Sequence, residues 1–157
     1  MAKAREVPGL HPLLSFSDAA AATVRVRAEE LFDHREGVLD TEDIERVHAM
    51  RVATRRLRAV LEIYHPCFPP AEYDPVLRDV KALADALGAR RDPDVQLEVL
   101  TALAAAMPRA ELAGLDLVAD EERAEQAQGN ELLAVALAEA ERSDLRGRLL
   151  ALVEAPA

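Results

Sequence analysis

Residues 47–64 combine two patterns that together favour one kind of secondary structure. Apolar side chains recur at the three- and four-residue intervals of an α-helix, at Met50, Ala53, Leu57, Val60, Leu61 and Tyr64. At 100° per residue, four basic residues fall on the opposite side, within about a quarter of the circumference: His48, Arg51, Arg55 and Arg58. We call these four residues the basic row. The segment therefore predicts a helix that packs with one face and presents positive charge on the other.

Helical spacing continues through the rest of the chain, and no stretch alternates as a half-buried strand does. Capping and breaking residues divide this pattern. Before the proline-rich loop at 66–70 they predict two helices, from Ser17–Asp18 to about residue 35 and from Asp40–Thr41 to about residue 65. A third helix is predicted over 72–87, ended by Gly88, and a fourth opens with Asp92 as N-cap and Pro93 as first residue.

Beyond Pro108 the pattern is long and weakly amphipathic up to about residue 142, and Gly129–Asn130 is either a kink or a true break. Ser143–Asp144 is predicted to cap a last short helix. We therefore predict an all-α fold, an antiparallel bundle of about six helices over residues 17–157, after a flexible lead-in of residues 1–16.

The composition supports a helical protein of the cytoplasm. Half of the residues are hydrophobic, but only two Tyr, three Phe and no Trp are present, so the core is built from Leu, Val and Ala. The single cysteine, Cys67, excludes an internal disulfide. No run of about 18 apolar residues and no apolar signal-peptide segment occurs, so we expect a soluble cytoplasmic protein without membrane contact.

The formal net charge of −10 argues against a polyanionic ligand on average, but the charge is unevenly distributed. Residues 111–131 contain seven acids opposed only by Arg123, and this run is expected to face away from any anion site. Salt screens charges beyond about 8 Å, so the local field decides binding. The basic row is either neutralised by carboxylates of neighbouring helices or binds phosphate groups, which arginine recognises bidentately. On composition alone the two alternatives are about even.

Catalytic and metal-binding motifs are weak. The sequence contains no glycine-rich phosphate loop, no nucleophile elbow and no pair of histidines at metal-ligand spacing. His65 and Cys67 are two ligand types in a proline loop, whereas a zinc site needs three or four. We therefore predict neither catalysis nor a cofactor.

Two sequence motifs, one of which contains the basic row, help to decide between these alternatives. The first is His48-x-x-Arg51-Val-x-x-Arg55-Arg56-x-Arg58, and the second is Lys81-x-Leu-Ala-x-x-Leu-Gly88-x-Arg90-Arg91-Asp92-x-Asp94-Val95. In order and spacing, the pair resembles the conserved histidine α-helical domain (CHAD) family over roughly residues 17–154. The resemblance implies a helical bundle whose basic groove binds inorganic polyphosphate without catalysis, often at bacterial polyphosphate granules. Carried over position by position, the implied ligand residues are His48, Arg51, Arg55, Arg56, Arg58, Lys81, Arg90 and Arg91.

The chain departs from the family in length. Full members are pseudo-symmetric, with a second helical bundle that carries its own His- and Arg-rich helix, and here no histidine follows His65. We therefore expect half of the usual fold, with two copies associating as a homodimer that rebuilds the groove. Three alternatives remain: a helical scaffold that has lost its ligand, a nucleic-acid binder, which the scarcity of aromatic residues disfavours, and last an enzyme acting on phosphate esters.

Overall fold

The computed structural model describes residues 3–154, in which five α-helices and two short 3-10 turns follow one another without any strand. The prediction of an all-α fold is confirmed. None of these helices is long and apolar enough to cross a membrane. The helices are α1 (Phe16–Asp33), α2 (Ile44–Ile63), α3 (Pro70–Ala106), α4 (Leu112–Arg142) and α5 (Leu145–Glu154).

One hydrophobic core joins α1, α2, α5, the first half of α3 and the second half of α4. The apolar faces predicted from helical spacing point into it, with Val24, Leu57, Leu83 and Leu149 at or near zero exposure. Within the described residues, the core takes nothing from the chain between Leu87 and Leu133. The far halves of α3 and α4 therefore extend beyond it.

Helices α3 and α4 form a long antiparallel hairpin. Arg90 contacts Asn130 and Asp94 contacts Gln126, so the chain positions run in opposite directions along the two helices. With 37 residues, α3 is about 55 Å long. We call residues 95–106 of α3 and 112–128 of α4 the arm; its most buried residue is Ala119.

The predicted break at Gly88 and Asp92–Pro93 is wrong, because α3 continues through both. Pro93 has no N–H to donate to the carbonyl of Ala89, which would ordinarily interrupt a helix. Here α4 packs directly on that carbonyl: a Cβ built on Gly129 would lie 2.7 Å from Ala89 O. The close approach of α4 accompanies a helix that continues through Pro93, and five α-helices result where about six were predicted.

Other helix ends differ by a few residues from the prediction. Ser15, and not Ser17, caps α1 by accepting from the Asp18 N–H at 3.0 Å. Helix α2 begins at Ile44, later than Asp40–Thr41. Helix α4 passes through Gly129 without a break, which decides between the two alternatives left open there.

Asp144 caps α5 as predicted, since its Oδ1 accepts from the Gly147 N–H at 3.1 Å. At the other end of the chain, residues 3–15 contain no helix, but Arg5 is held on α1 by Asp33, 2.7 Å from its Nη2. Residues 1–2 of the predicted lead-in and residues 155–157 of the predicted domain lie outside the described part of the chain.

Candidate anion-binding site

Helix α2 separates its apolar and basic residues onto opposite sides, as its periodicity predicts. Val47, Met50, Leu57 and Leu61 are fully buried in the core. On the outer side, Arg55 and Arg58 are exposed, and His48 and Arg51 are half-buried. The basic row therefore lies on the surface, and its length from His48 to Arg58, ten steps of 1.5 Å along the helix, is about 15 Å.

One end of the basic row is neutralised by a carboxylate. Arg58 Nε donates to Glu62 Oε1 at 3.0 Å, and Lys81 Nζ of α3 lies 3.7 Å from the same oxygen. The hydrogen bond from Arg58 lowers the pKa of Glu62 below its usual value, and the positive charges of Arg58 and Lys81 add to this effect. All three side chains are more than two-fifths exposed, so the cluster is open to an incoming anion.

The rest of the basic row has no such partner in the described part of the chain. Among residues 3–154, no carboxylate lies within 4 Å of the side-chain nitrogens of His48, Arg51 or Arg55. Two arginines one helical turn apart repel each other in that state. Carboxylate neutralisation therefore reaches Arg58, through Glu62 of the same helix, and leaves the middle of the row uncompensated within residues 3–154.

Arg56 points away from the basic row and into the α1–α2 interface. Its Nη1 lies 3.2 Å from Glu30 Oε1, and Glu30 is buried. The same carboxylate accepts from Arg27 Nη1 at 2.5 Å and from the Arg5 backbone N–H at 3.2 Å. Burial alone would raise the pKa of Glu30, but these hydrogen bonds and the charges of Arg27 and Arg56 lower it on balance.

Arg90 and Arg91 lie on α3 where α4 packs against it. Arg90 is fully buried; its Nη1 is hydrogen-bonded to Asp94, and its Nε donates to Asn130 Oδ1 at 3.1 Å. Asn130 in turn donates to the carbonyl of Leu39 at 3.0 Å, which ties α4 to the α1–α2 loop. Arg91 is 9% exposed and lies 3.4 Å from Glu98. The structure thus brings Lys81 to the basic row and leaves this pair of arginines among carboxylates.

Two features that shape the site were not predicted from the sequence: the ion pairs of Glu62 and the contact of Gly129 with Ala89. Glu62 follows Arg58 by four residues, a spacing that does signal an ion pair on a helix. Gly129 and its contact with Ala89 leave no such signal, because the partners are 40 positions apart.

Metal-ligating side chains do not cluster in residues 3–154, where no group of three or more His, Cys, Asp or Glu is placed to hold an ion. His65 and Cys67 contact other side chains of the fold instead. The His65 ring lies 4.9 Å from the Tyr73 ring, and Cys67 is buried in the core.

One family of known proteins matches nearly the whole chain. The family model described as "CHAD domain" matches residues 22–157. The chain belongs to the CHAD family. CHAD domains are associated with polyphosphate binding, which agrees in kind with a row of basic residues on the surface. Comparisons with curated proteins and with solved structures gave no match.

Proposed function

We propose that this CHAD domain binds inorganic polyphosphate through the basic row on α2, without catalysis of its own. The observation that carries the proposal is the exposure and the surroundings of the Arg51 and Arg55 side chains. They share one face of a helix, open to solvent, with no carboxylate within ion-pair distance in residues 3–154. A ligand that supplies several negative charges at short intervals would relieve their repulsion.

Polyphosphate fits this surface for two chemical reasons. Arginine donates two parallel hydrogen bonds to the oxygens of one phosphate, so each guanidinium holds one unit of the chain. The row is also about 15 Å long, which suits several successive phosphates better than a single anion.

The contact residues fall into two groups under this proposal. His48, Arg51 and Arg55 are available as they stand, whereas Arg58 and Lys81 become available when phosphate displaces Glu62 from them. Arg56, Arg90 and Arg91 belong to the family motif but are bound to carboxylates of this chain, so we assign them to holding α2 and α3 in place.

The proposal includes association of two copies of the chain, which the resemblance led us to expect. It also includes the absence of catalysis, which the resemblance to the family implies. Recruitment to polyphosphate granules would follow from the binding itself.

The decisive experiment is titration with long-chain polyphosphate at several salt concentrations. Affinity that depends on phosphate contacts falls steeply as salt rises, because bound counterions are released. The variant R51A/R55A is expected to bind at least tenfold more weakly with a shallower salt dependence. The matched control, R123A/R142A, removes the same charge from two exposed arginines of α4 and is expected to bind like the unmodified protein.

A protein-interaction scaffold is the second candidate, and the exposed apolar surface of the arm favours it. It predicts equal polyphosphate affinity in R51A/R55A and in the unmodified chain. Nucleic-acid binding through the same row predicts that duplex DNA competes for the site at equal phosphate concentration. Failure of DNA to compete, with loss of polyphosphate binding in the double variant, supports the proposal over both.

A further inference from the structure

The arm leaves one side of α3 apolar and exposed. Between Val95 and Met107 the polar residues are Gln96, Glu98 and Thr101 alone. Val95 is 41% exposed, Val99 56% and Leu103 46%. We call the exposed set at the centre of this side the outer seam: Val95, Val99, Ala102 and Ala106.

The spacing of the outer seam is that of a helix-pairing surface. Its members follow one another at intervals of four, three and four residues, the pattern of alternating a and d positions in a coiled coil. A second such series, Leu97, Leu100, Ala104 and Met107, is half-buried on the α4 side of the same helix. A helix that is apolar on both sides is ordinarily covered on both sides.

We propose that a second copy of this chain covers the outer seam with its own outer seam, α3 running antiparallel to α3. In this arrangement Val95 lies opposite Ala106 of the second copy and Val99 opposite Ala102. A large side chain then meets a small one at each level, as close packing requires. Parallel pairing would instead set valine against valine and alanine against alanine.

Charge at the two ends of the seam favours the same orientation. Asp92 precedes the seam and Arg109 follows it, and neither has an ion-pair partner within the described residues. Antiparallel pairing brings Asp92 of each copy towards the turn that carries Arg109 of the other. Parallel pairing would bring the two Asp92 carboxylates together. Glu98, the one charged residue within the seam segment, is set against Leu103 of the second copy and meets no acid.

The seam also determines where the two basic rows lie, and this step rests on the proposed function. At 1.5 Å per residue, the two Lys81 side chains would be separated along the paired helices by about 60 Å. The dimer would hold one long polyphosphate chain at two distant rows, and the gain in affinity would come from linked binding events. This differs from the single rebuilt groove expected from the resemblance.

Analytical ultracentrifugation of the full chain tests the seam without any ligand. The unmodified protein is expected to be dimeric at tens of micromolar, and V99E to shift the dimer–monomer equilibrium at least tenfold towards monomer with unchanged helicity. V135E places the same charge on the exposed outer side of α4 and is expected to leave the dimer intact. A monomeric unmodified protein, or a V99E dimer of normal affinity, overturns the proposal.

A charge exchange tests the orientation. D92R is expected to weaken the dimer, because the introduced guanidinium then approaches Arg109 of the second copy, and D92R/R109D is expected to restore it. A double variant no stronger than D92R overturns the antiparallel arrangement.

Polyphosphate titrations can refute the proposed dimer and the proposed function independently of each other. A polyphosphate too short to reach two rows is expected to bind V99E and the unmodified protein equally, while a long one binds V99E more weakly. No polyphosphate binding by a confirmed dimer would refute the proposed function and leave the seam. Equal binding of long chains by dimer and monomer would refute the linkage between them.

Discussion

Arg56 and Glu30 are joined across the α1–α2 interface, with 3.2 Å between Nη1 and Oε1, although Arg56 is adjacent in sequence to Arg55, which has no carboxylate partner within residues 3–154. One step along the chain turns an arginine by 100° around α2. That rotation separates a residue available to a ligand from a residue that holds two helices together.

These neighbours therefore make a matched pair of variants. Arg55→Gln is expected to weaken polyphosphate binding several-fold while the free energy of unfolding stays within about 0.5 kcal/mol of the parent value, as for other surface changes. Arg56→Gln leaves the buried Glu30 with one cation fewer, so it is expected to destabilise the fold by about 1–3 kcal/mol. Urea unfolding and polyphosphate titration of both variants measure the two effects, and an identical profile for the pair would contradict this division of roles.

Glu62 competes with phosphate for Arg58 and Lys81. Glu62→Gln removes the negative charge but keeps the size of the side chain, so both cations become available and polyphosphate affinity is expected to rise a few-fold. Glu72→Gln, which neutralises an exposed carboxylate outside any ion pair of residues 3–154, controls for the change in net charge. Equal gains in the two variants would show that only the overall charge matters.

Gly129 allows α4 to approach α3 where a side chain would collide. A Cβ there would meet Ala89 O at 2.7 Å and Arg90 Cα at 2.9 Å, both backbone atoms that cannot swing aside. Gly129→Ala is expected to destabilise the protein by about 1–3 kcal/mol in chemical unfolding, as overpacking does. At Gly114, in the same helix, a Cβ meets nothing within 4 Å, so Gly114→Ala is expected to be neutral or to stabilise by up to about 1 kcal/mol. If both substitutions stabilise, the helices are not in contact as described.

Glu30 makes the fold sensitive to acid. Its pKa is lowered in the folded state, so its contribution to stability is present above the pKa of the unfolded chain and is lost as the pH falls through the folded value. The free energy of unfolding is therefore expected to fall between about pH 5 and pH 3, and to do so less steeply in Glu30→Gln. Glu29→Gln, at the neighbouring position outside this cluster, is expected to keep the parent slope. A parent-like slope in Glu30→Gln would assign the acid sensitivity to other carboxylates.

Local periodicity predicted the helix of residues 44–63 and both of its faces, because adjacent turns of one helix decide them. It was wrong at Gly88 and Pro93, where local propensity favours a helix end. Tertiary contacts outweigh that local propensity: Arg90 and Asp94 are hydrogen-bonded to α4, and Gly129 packs on the α3 backbone. A segment can thus match a family motif while the helix-breaking signal within it is overridden by packing.

The sequence by itself determined an all-helical chain, a row of cations opposite an apolar face, and membership of the CHAD family, since these depend on residue order and short spacing. Only the tertiary structure decided which arginines have partners on other helices. Arg56 is paired with Glu30, 26 positions earlier, and Arg90 donates a hydrogen bond to Asn130, 40 positions later. Ion pairing and burial join residues far apart in the chain, so helical spacing could place the basic row but could not show that Arg51 and Arg55 have no carboxylate partner among residues 3–154.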